Sequence, residues 1–346
     1  MASLPCVPPK TNYKRGILTI FTRFCQTFLE FVRAAILRKP NGCAILPGLF
    51  QTLSNNRHDI KNMKNAQIKT YNDIDWTLLR DNAMQQKARR TKGPEDWDKR
   101  ADSFSKRTRN TDYIDLFLAE LPLHPSSTVL DIGSGPGTLS LPIAKKVRQV
   151  TAVDFSAEML KILDQRAEDE GCPNIATIHC AWEDDWKQSA LVPHDIAIAS
   201  RSIGVKDLKQ AILKINAFAK QAVFISDRIN PTPFEAEAYQ AIGRPFTTGP
   251  DYIYTLNLLY SLGIHANVKV LRSQPTAVYK DIEAALASYD WMFDDLSEEE
   301  RQKLTAYIES NIQEQTEDRI VVRRRSPIQW ALLWWKKSEY DSGRKE

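Results

Sequence analysis

The sequence predicts an α/β fold in which a mostly parallel, doubly wound sheet of seven strands follows an N-terminal helical cap. Short apolar runs alternate with helical patterns from residue 128 onward, which is typical of a parallel sheet with helices on both faces. The first apolar run ends in a glycine-rich turn before a helix, and the second ends in an acid. The 346 residues suffice for one such domain and an appendage.

Apolar runs and capping residues place the elements of the first half of the sheet. Ser156 is a good N-cap with Glu158 in the first turn behind it, and Gly171 is a typical residue to follow a helix end. The elements expected are strands at 128–132, 149–153, 175–179, 195–200 and 222–226, and helices over about 138–147, between Ser156 and Gly171, and over about 205–219.

Residues 229–265 interrupt the alternation, because they hold four prolines and then an aromatic helix at 251–262. We therefore treat them as an insertion in the sheet domain. The elements expected after it are a strand at 267–272, a helix that a capping box of Ser297 and Glu300 opens and that ends near Gln315, and a late apolar strand at 329–335.

The helices before the first strand have aromatic and apolar residues at helical spacing, as in the segment from Trp97 to Phe104. The expected organisation is an N-terminal extension at 1–62, a helical cap at 63–120, and the sheet domain at 121–340 with its insertion at 229–265.

The N-terminal extension is strongly basic, with eight lysines and arginines against a single acid, Glu30, up to His58. Charges interrupt its apolar helical pattern, so no run reaches the ~20 apolar residues that span a bilayer. Three interpretations stay open: a basic amphipathic helix in weak contact with a membrane surface, a targeting peptide, or a poorly ordered tail upstream of a natural start at Met63. The third is favoured.

Composition indicates a globular protein, with 42% hydrophobic and 26% charged residues. The net charge of +4 does not by itself suggest nucleic acid as a partner, and no DNA binding is expected.

Five cysteines form neither a C-x-x-C pair nor a metal-ligand spacing, so we expect free thiols in the cytoplasm and no metal. Phosphate-loop, zinc-protease and serine-hydrolase motifs are missing. The oligomeric state is not indicated.

The glycine-rich turn carries the most specific signal in the chain. Gly133, Gly135 and Gly137 follow the strand that contains Asp131, and glycines there let the backbone turn tightly and approach a ligand. The next strand ends in Asp154, where an α/β nucleotide-binding fold places a carboxylate against ribose hydroxyls. A dinucleotide fingerprint would require a third glycine at the position of Thr138.

The pattern D-x-G-x-G-x-G, with an acid ending the next strand, resembles the class I S-adenosylmethionine-dependent methyltransferases. The resemblance extends over about 97–337, is specific at the first two strands, and implies S-adenosylmethionine as cofactor. It also implies that the insertion builds the substrate site and that the helix from Trp97 to Phe104 covers the cofactor pocket. The cofactor contacts it implies for the first two strands are the glycines beside the methionine and ribose portions, Asp131 at the amino group, Asp154 at the ribose hydroxyls, and their neighbours Ser134 and Phe155.

Many members of this family hold the adenine with an acid just after the third strand, where this chain has Ala181. Two alternatives stay open. Glu183 replaces that acid if the loop is shifted, or the backbone N–H and the ring of Trp182 hold the adenine instead. A solvated acidic turn is the plainer interpretation of the stretch.

The acceptor side is expected at the carboxyl ends of the fourth and fifth strands. Ser200 and Arg201 end the fourth strand and are expected near the sulfonium or the substrate, with Ser200 in contact with the cofactor. Arg201 pairs either with an anionic substrate group or with a neighbouring acid. No general base is evident, and Arg201, Tyr254 and His265 are weak catalytic candidates. Methyl transfer depends mainly on positioning, so a base is needed only for a protonated acceptor.

The resemblance predicts an enzyme that methylates a small molecule. The N/D-P-P-[YF] motif of enzymes that methylate nucleic-acid or glutamine nitrogen is missing, which disfavours those acceptors. The alternatives are an RNA or protein methyltransferase, or a scaffold that binds the cofactor without catalysis.

Overall fold

The computed structural model describes residues 70–87, 91–109, 111–274, 276–293 and 295–338. The strands are β1 (Thr128–Ile132), β2 (Gln149–Asp154), β3 (Ile175–His179), β4 (His194–Ser200), β5 (Ala219–Arg228), β6 (Asn267–Ser273), β7 (Thr276–Tyr279), β8 (Ile312–Gln315), β9 (Ile320–Arg323) and β10 (Ile328–Lys336).

Seven of these strands form one sheet in the order β3-β2-β1-β4-β5-β10-β6. The first five pair in parallel, whereas β10 runs antiparallel to both β5 and β6. The predicted fold class, a mostly parallel seven-stranded α/β sheet, is confirmed.

The α-helices are α1 (Trp76–Gln86), α2 (Pro94–Asp98), α3 (Ala101–Thr108), α4 (Asp112–Leu118), α5 (Ser140–Ala144), α6 (Ala157–Asp169), α7 (Leu208–Phe218), α8 (Ala236–Ile242), α9 (Tyr252–Ser261), α10 (Ile282–Ala287) and α11 (Glu298–Glu309). None of the described helices is long and apolar enough to cross a membrane.

Each face of the sheet buries its own apolar core, because successive side chains of a strand point to opposite faces. Leu130 of β1 packs with α7 and α9 around Trp186, while its neighbour Val129 packs with α4, α5 and α6 around Phe117. The sheet is therefore covered on both sides, and the site is left to the edge where the parallel strands end.

Capping residues set the helix ends where the sequence indicated. The side chain of Ser156 accepts a hydrogen bond from the Met159 N–H at the start of α6, and Ser297 and Glu300 form a capping box at α11. Helix α5 is shorter than the expected 138–147 and contains Pro142, which contributes no N–H to the helix.

The chain builds a second, smaller unit that the sequence did not reveal. Strands β7, β9 and β8 form an antiparallel sheet in that order, and α8, α10 and α11 pack with it around Tyr239 and Phe293. We call this unit the small lobe. The expectation that α11 continues to Gln315 is wrong, because the helix ends at Glu309 and the segment Ile312–Gln315 pairs with β9 instead.

A buried carboxylate ties the small lobe to the chain that leaves β5. The hydroxyl of Tyr307 donates to Glu235 Oε1 at 2.6 Å, and that of Tyr289 donates to Oε2 at 3.1 Å. The Nε of Arg324 lies 3.4 Å from Oε2 of the same carboxylate. Burial and the charge of Glu235 raise the pKa of both tyrosines, so they stay neutral hydrogen-bond donors.

The N-terminal extension and the first residues of the predicted cap lie outside the described residues, so the interpretations of 1–62 stay predictions. The described part of the predicted cap comprises α1 to α4. Both described cysteines, Cys172 and Cys180, are free and buried.

Candidate active site at the glycine turn

The turn between β1 and α5 is held from behind by the end of β2. The N–H groups of Gly133 and Ser134 both donate to the carbonyl of Val153, at 2.7 and 3.0 Å. Gly133 has a φ of +69°, and a Cβ built on it would lie 2.3 Å from Ser202 Cβ. A side chain at this position would therefore collide with the segment that follows β4, which explains the glycine.

Asp154, at the end of β2, is 6% exposed and is oriented by two backbone donors. Its Oδ2 accepts from the Gly135 N–H at 2.8 Å, and its Oδ1 accepts from the Ser156 N–H at 2.9 Å. Burial raises the pKa of this carboxyl, and the backbone hydrogen bonds oppose the rise. Each oxygen keeps a lone pair for a further donor, as a ribose diol requires.

Asp131 is 1% exposed and only half satisfied. Its Oδ2 accepts from the Ser140 hydroxyl at 2.6 Å, whereas its Oδ1 has no hydrogen-bond partner. Burial raises the pKa of this carboxyl to about 7, and the nearby charge of Asp154 adds to the rise. The Ser134 hydroxyl oxygen is likewise buried without a partner. Two unsatisfied polar atoms beside one glycine turn fit a polar ligand that carries a cationic group.

The cap helices reach this turn, but the segment from Trp97 to Phe104 is divided between α2 and α3 and is not the single helix expected. The Ser156 hydroxyl donates to Asp98 Oδ1 at 2.5 Å, so α2 is attached to the start of α6. On α3, Phe104 Cε1 lies 3.9 Å from where a Cβ of Gly135 would stand. The cap therefore forms a wall of the space in front of the glycine turn.

The stretch after β3 places the two predicted adenine contacts differently. The ring nitrogen of Trp182 donates to the Ser202 carbonyl at 3.1 Å, and its half-buried ring packs against the core beneath. Glu183 is exposed. Nearby, His179 Nε2 lies 3.0 Å from the carbonyl of Phe155. The ring of Trp182 is thus held beside the segment that follows β4, whereas the side chain of Glu183 extends into solvent.

The acceptor side contains a hydroxyl cluster and a cation. The hydroxyl of Tyr113, from α4, lies 2.7 Å from the hydroxyls of both Ser200 and Ser226. The guanidinium carbon of Arg201 lies 4.4 Å from the centroid of the Tyr113 ring and 5.8 Å from that of Trp330. Burial raises the pKa of Tyr113, and the Arg201 charge opposes this.

The remaining catalytic candidates are not brought together. His265 is exposed, contacts the ring of Tyr260, and precedes β6, the outermost strand of the sheet. The structure therefore does not bring His265 to the crevice. Tyr254 is half-buried on α9 next to Thr255, whose hydroxyl donates to Asp227 at 2.6 Å. Among the residues that sequence reasoning left out of the site are Tyr113 and Arg107, which lie on the cap helices α4 and α3.

Comparisons with known proteins agree with this architecture. The family model described as a methyltransferase domain matches residues 129–241, which contain the glycine turn and Asp154. An uncharacterized protein of Haemophilus influenzae is 33% identical over 246 residues, which cover 70% of this chain and 89% of that protein. A mitochondrial ribosomal RNA small subunit methyltransferase of Arabidopsis thaliana is 33% identical over 69 residues, or 20% of this chain and 18% of that protein.

Two solved structures illustrate the structural similarity. The YcgJ protein of Bacillus subtilis has a TM-score of 0.44 at 15% identity and covers 65% of this chain and 97% of its own. Magnesium protoporphyrin IX methyltransferase of Synechocystis, with bound S-adenosylhomocysteine, has a TM-score of 0.37 at 15% identity. It covers 58% of this chain and 94% of its own.

The order of the strands, the glycine turn and the family match lead to one assignment. The chain contains a class I S-adenosylmethionine-dependent methyltransferase domain, which the family model matches over residues 129–241. Its cofactor is S-adenosylmethionine, and it is an enzyme that transfers a methyl group.

Proposed function

We propose that this methyltransferase acts on a small molecule. The observation that carries the proposal is the position of Arg107 on α3. Its guanidinium carbon lies 5.5 Å from the ring centroid of Phe104, in the cap, and 5.8 Å from that of Trp291, in the small lobe. The cap and the lobe therefore meet across the space in front of Gly135, and a walled crevice suits a small acceptor better than a polymer.

In this proposal the chain's residues bind and position, and the cofactor supplies an electrophilic methyl group on a sulfonium. Asp154 accepts the ribose hydroxyls on the lone pairs that its backbone donors leave free. Asp131 Oδ1 accepts the ammonium group, which satisfies an otherwise unpaired buried oxygen. The ring of Trp182 flanks the adenine, and Ser134 and Phe155 line the same side of the pocket.

The acceptor then occupies the space bounded by Phe104, Trp291 and the loop after Ser200. No general base is assigned here. The hydroxyls of Tyr113 and Ser200 bond to each other, and the pKa of Tyr113 is raised rather than lowered, which makes it a poor base. Holding the acceptor in line with the methyl group is therefore the main contribution of the protein to the rate.

The test is methyl labelling of a cell extract. The purified protein is incubated with methyl-tritiated S-adenosylmethionine and extract, and the products are separated into small-molecule, RNA and protein fractions. We expect the label in the small-molecule fraction, and none with the Asp154→Ala variant. The exposed acid Glu168 provides the matched control, because Glu168→Ala removes a charge from α6 and should label like the wild type.

Label confined to RNA would contradict the proposal and favour the alternative of an RNA methyltransferase, to which the ribosomal RNA relatives match over 59–69 residues. Label confined to protein would contradict it equally. No label in any fraction, with normal cofactor binding, would contradict the proposal as well.

A further inference from the structure

Two arginines from different parts of the chain converge on the acceptor side of the crevice. Arg107 comes from the cap helix α3, and Arg201 follows β4 directly. Both flank the glycine turn, because Phe104, which contacts Arg107, lies beside Gly135, and Ser202, which follows Arg201, lies beside Gly133. Desolvation and the charges of Arg100 and Arg201 lower the pKa of Arg107.

Neither guanidinium has a counter-ion in the described part of the chain. Among the described residues, no carboxylate oxygen lies within 4.0 Å of a guanidinium nitrogen of Arg107 or Arg201, and neither side chain donates a hydrogen bond. Their neighbours are instead the aromatic rings of Phe104, Trp291, Tyr113 and Trp330. Cation–π contacts with these rings hold the planar groups in place but leave their N–H donors free.

Both arginines reach solvent. Arg107 is exposed to solvent, yet surrounding protein desolvates it enough to lower its pKa. Arg201 is half-buried. Several like charges on accessible groups beside low-dielectric protein strengthen the attraction for an anion that approaches them.

The backbone at Arg201 is strained. Its φ is +58°, in the left-handed region that a bulky non-glycine residue seldom adopts. Two hydrogen bonds from its N–H, to the carbonyl and the hydroxyl of Ser226 at 3.2 and 3.0 Å, hold it there. Strain that the surroundings enforce, beside repelling cations, is characteristic of a site that a ligand stabilises.

We infer that the methyl acceptor is a small organic anion whose carboxylate or phosphate group is bound jointly by Arg107 and Arg201 in front of the glycine turn. The inference rests on the proposed function, since it names the acceptor class of the same site. An oxyanion accepts paired N–H donors from a guanidinium and relieves the repulsion between the two cations. Arg100, the residue before α3, adds to the positive potential that attracts it.

The binding test uses defined probes. Benzoate, phenyl phosphate and the neutral benzamide are titrated into protein saturated with S-adenosylhomocysteine, by calorimetry. We expect benzoate or phenyl phosphate to bind and benzamide to give no heat. Arg107→Gln and Arg201→Gln should each weaken anion binding by roughly tenfold or more, because each removes charge-assisted hydrogen bonds. The anion that binds more tightly, benzoate or phenyl phosphate, indicates whether the acceptor carries a carboxylate or a phosphate group.

Lys106→Gln is the matched control. Lys106 precedes Arg107 on α3, its side chain is 76% exposed, and it pairs with Asp102, so its loss should leave anion binding unchanged. The affinity of each variant for S-adenosylhomocysteine reports whether it is folded, and it should equal that of the wild type.

Absence of binding by both anions, or equal binding by both arginine variants and the wild type, would overturn the inference. Tighter arginine-dependent binding of a short oligoribonucleotide than of either small anion would overturn it in favour of RNA. The labelling experiment separates the two proposals. Small-molecule labelling that both arginine variants retain leaves the proposed function standing and removes the anionic acceptor.

Discussion

The carboxylate of Asp154 accepts a hydrogen bond from the Gly135 N–H at 2.8 Å, which joins the last residue of β2 to the middle of the turn after β1. The same carboxylate is expected to accept the ribose hydroxyls, so one side chain both stabilises the glycine turn and binds the cofactor. Binding the cofactor and holding the glycine turn in shape are coupled at this residue.

Asp154→Ala should weaken both cofactor binding and the fold. Two ribose hydroxyls lose a charged acceptor, which costs a net of about 2–4 kcal/mol, or roughly 30- to 1000-fold in affinity for S-adenosylhomocysteine. The N–H groups of Gly135 and Ser156 also lose their acceptor, so the free energy of unfolding should fall by about 1–3 kcal/mol. Calorimetry and denaturant unfolding measure the two effects.

Asp154→Asn separates these effects, since one amide oxygen still accepts a backbone N–H while the charge is lost. It should recover part of the stability but little of the cofactor affinity. Wild-type affinity in Asp154→Ala would show that the ribose lies elsewhere.

The affinity for S-adenosylhomocysteine should depend on pH through Asp131. Burial raises its pKa to about 7, and an ammonium group at Oδ1 favours the ionised form, so the pKa falls in the complex. Binding below pH 7 then releases a proton, and the affinity should rise about tenfold per pH unit up to about pH 7 before it levels off. Calorimetry in buffers of different ionisation enthalpy detects the released proton.

Asp131→Asn is the control for this pH dependence, because it cannot ionise. Its affinity should be low and flat with pH. A pH profile with the same slope in this variant would assign the proton to another group.

The pKa of Asp131 also affects the free protein. The carboxyl binds its proton more tightly when folded than when unfolded, where its pKa is about 4. Its contribution therefore favours the fold at acid pH and is lost as the pH rises from about 4 to 7.

Gly133→Ala should destabilise the protein by about 2–5 kcal/mol. The left-handed backbone costs about 1–2 kcal/mol for a residue with a Cβ, and displacing Ser202 adds about 1–3 kcal/mol. Gly171→Ala is a matched control, because Gly171 has a φ of +64° but no atom within 4 Å of its Cβ position. It should cost only the backbone strain. Equal losses in the two variants would mean that the contact with Ser202 relaxes freely.

Tyr307→Phe should lower the free energy of unfolding by about 1.5–3 kcal/mol, since it removes a hydrogen bond to the buried charge of Glu235. The affinity for S-adenosylhomocysteine should not change, because this residue lies in the small lobe. Tyr260→Phe is the comparison, as Tyr260 is 51% exposed on α9. Denaturant unfolding measures the free energy of unfolding of both variants. Equal values would show that the hydrogen bond from Tyr307 to Glu235 does not stabilise the fold.

The sheet was predictable from sequence because its strands are buried. All five residues of β1 are buried, and β4 and β5 bury most of their positions, so each appears as an apolar run. The small lobe escaped prediction for the opposite reason. Residues 276–279 alternate between exposed and half-buried, and three of the four residues of 312–315 are exposed, so neither segment forms an apolar run.

The site was only partly predictable. Asp131 and Asp154 follow from their places at strand ends, which a local pattern reveals. Arg107 has no such signal, because a basic residue on a polar helix such as α3 resembles any solvated position. Only the packing of α3 between the glycine turn and Trp291 gives Arg107 a place at the crevice.

The small lobe is assembled from two separated stretches of chain, one around α8 and one from β7 to β9, with α9 and β6 between them. It therefore cannot be excised or transplanted as a single fragment. Deleting 276–325 would bare the apolar side of α8 and leave Glu235 without its tyrosine donors. Exchanging the whole lobe for another would therefore require two simultaneous insertions in register.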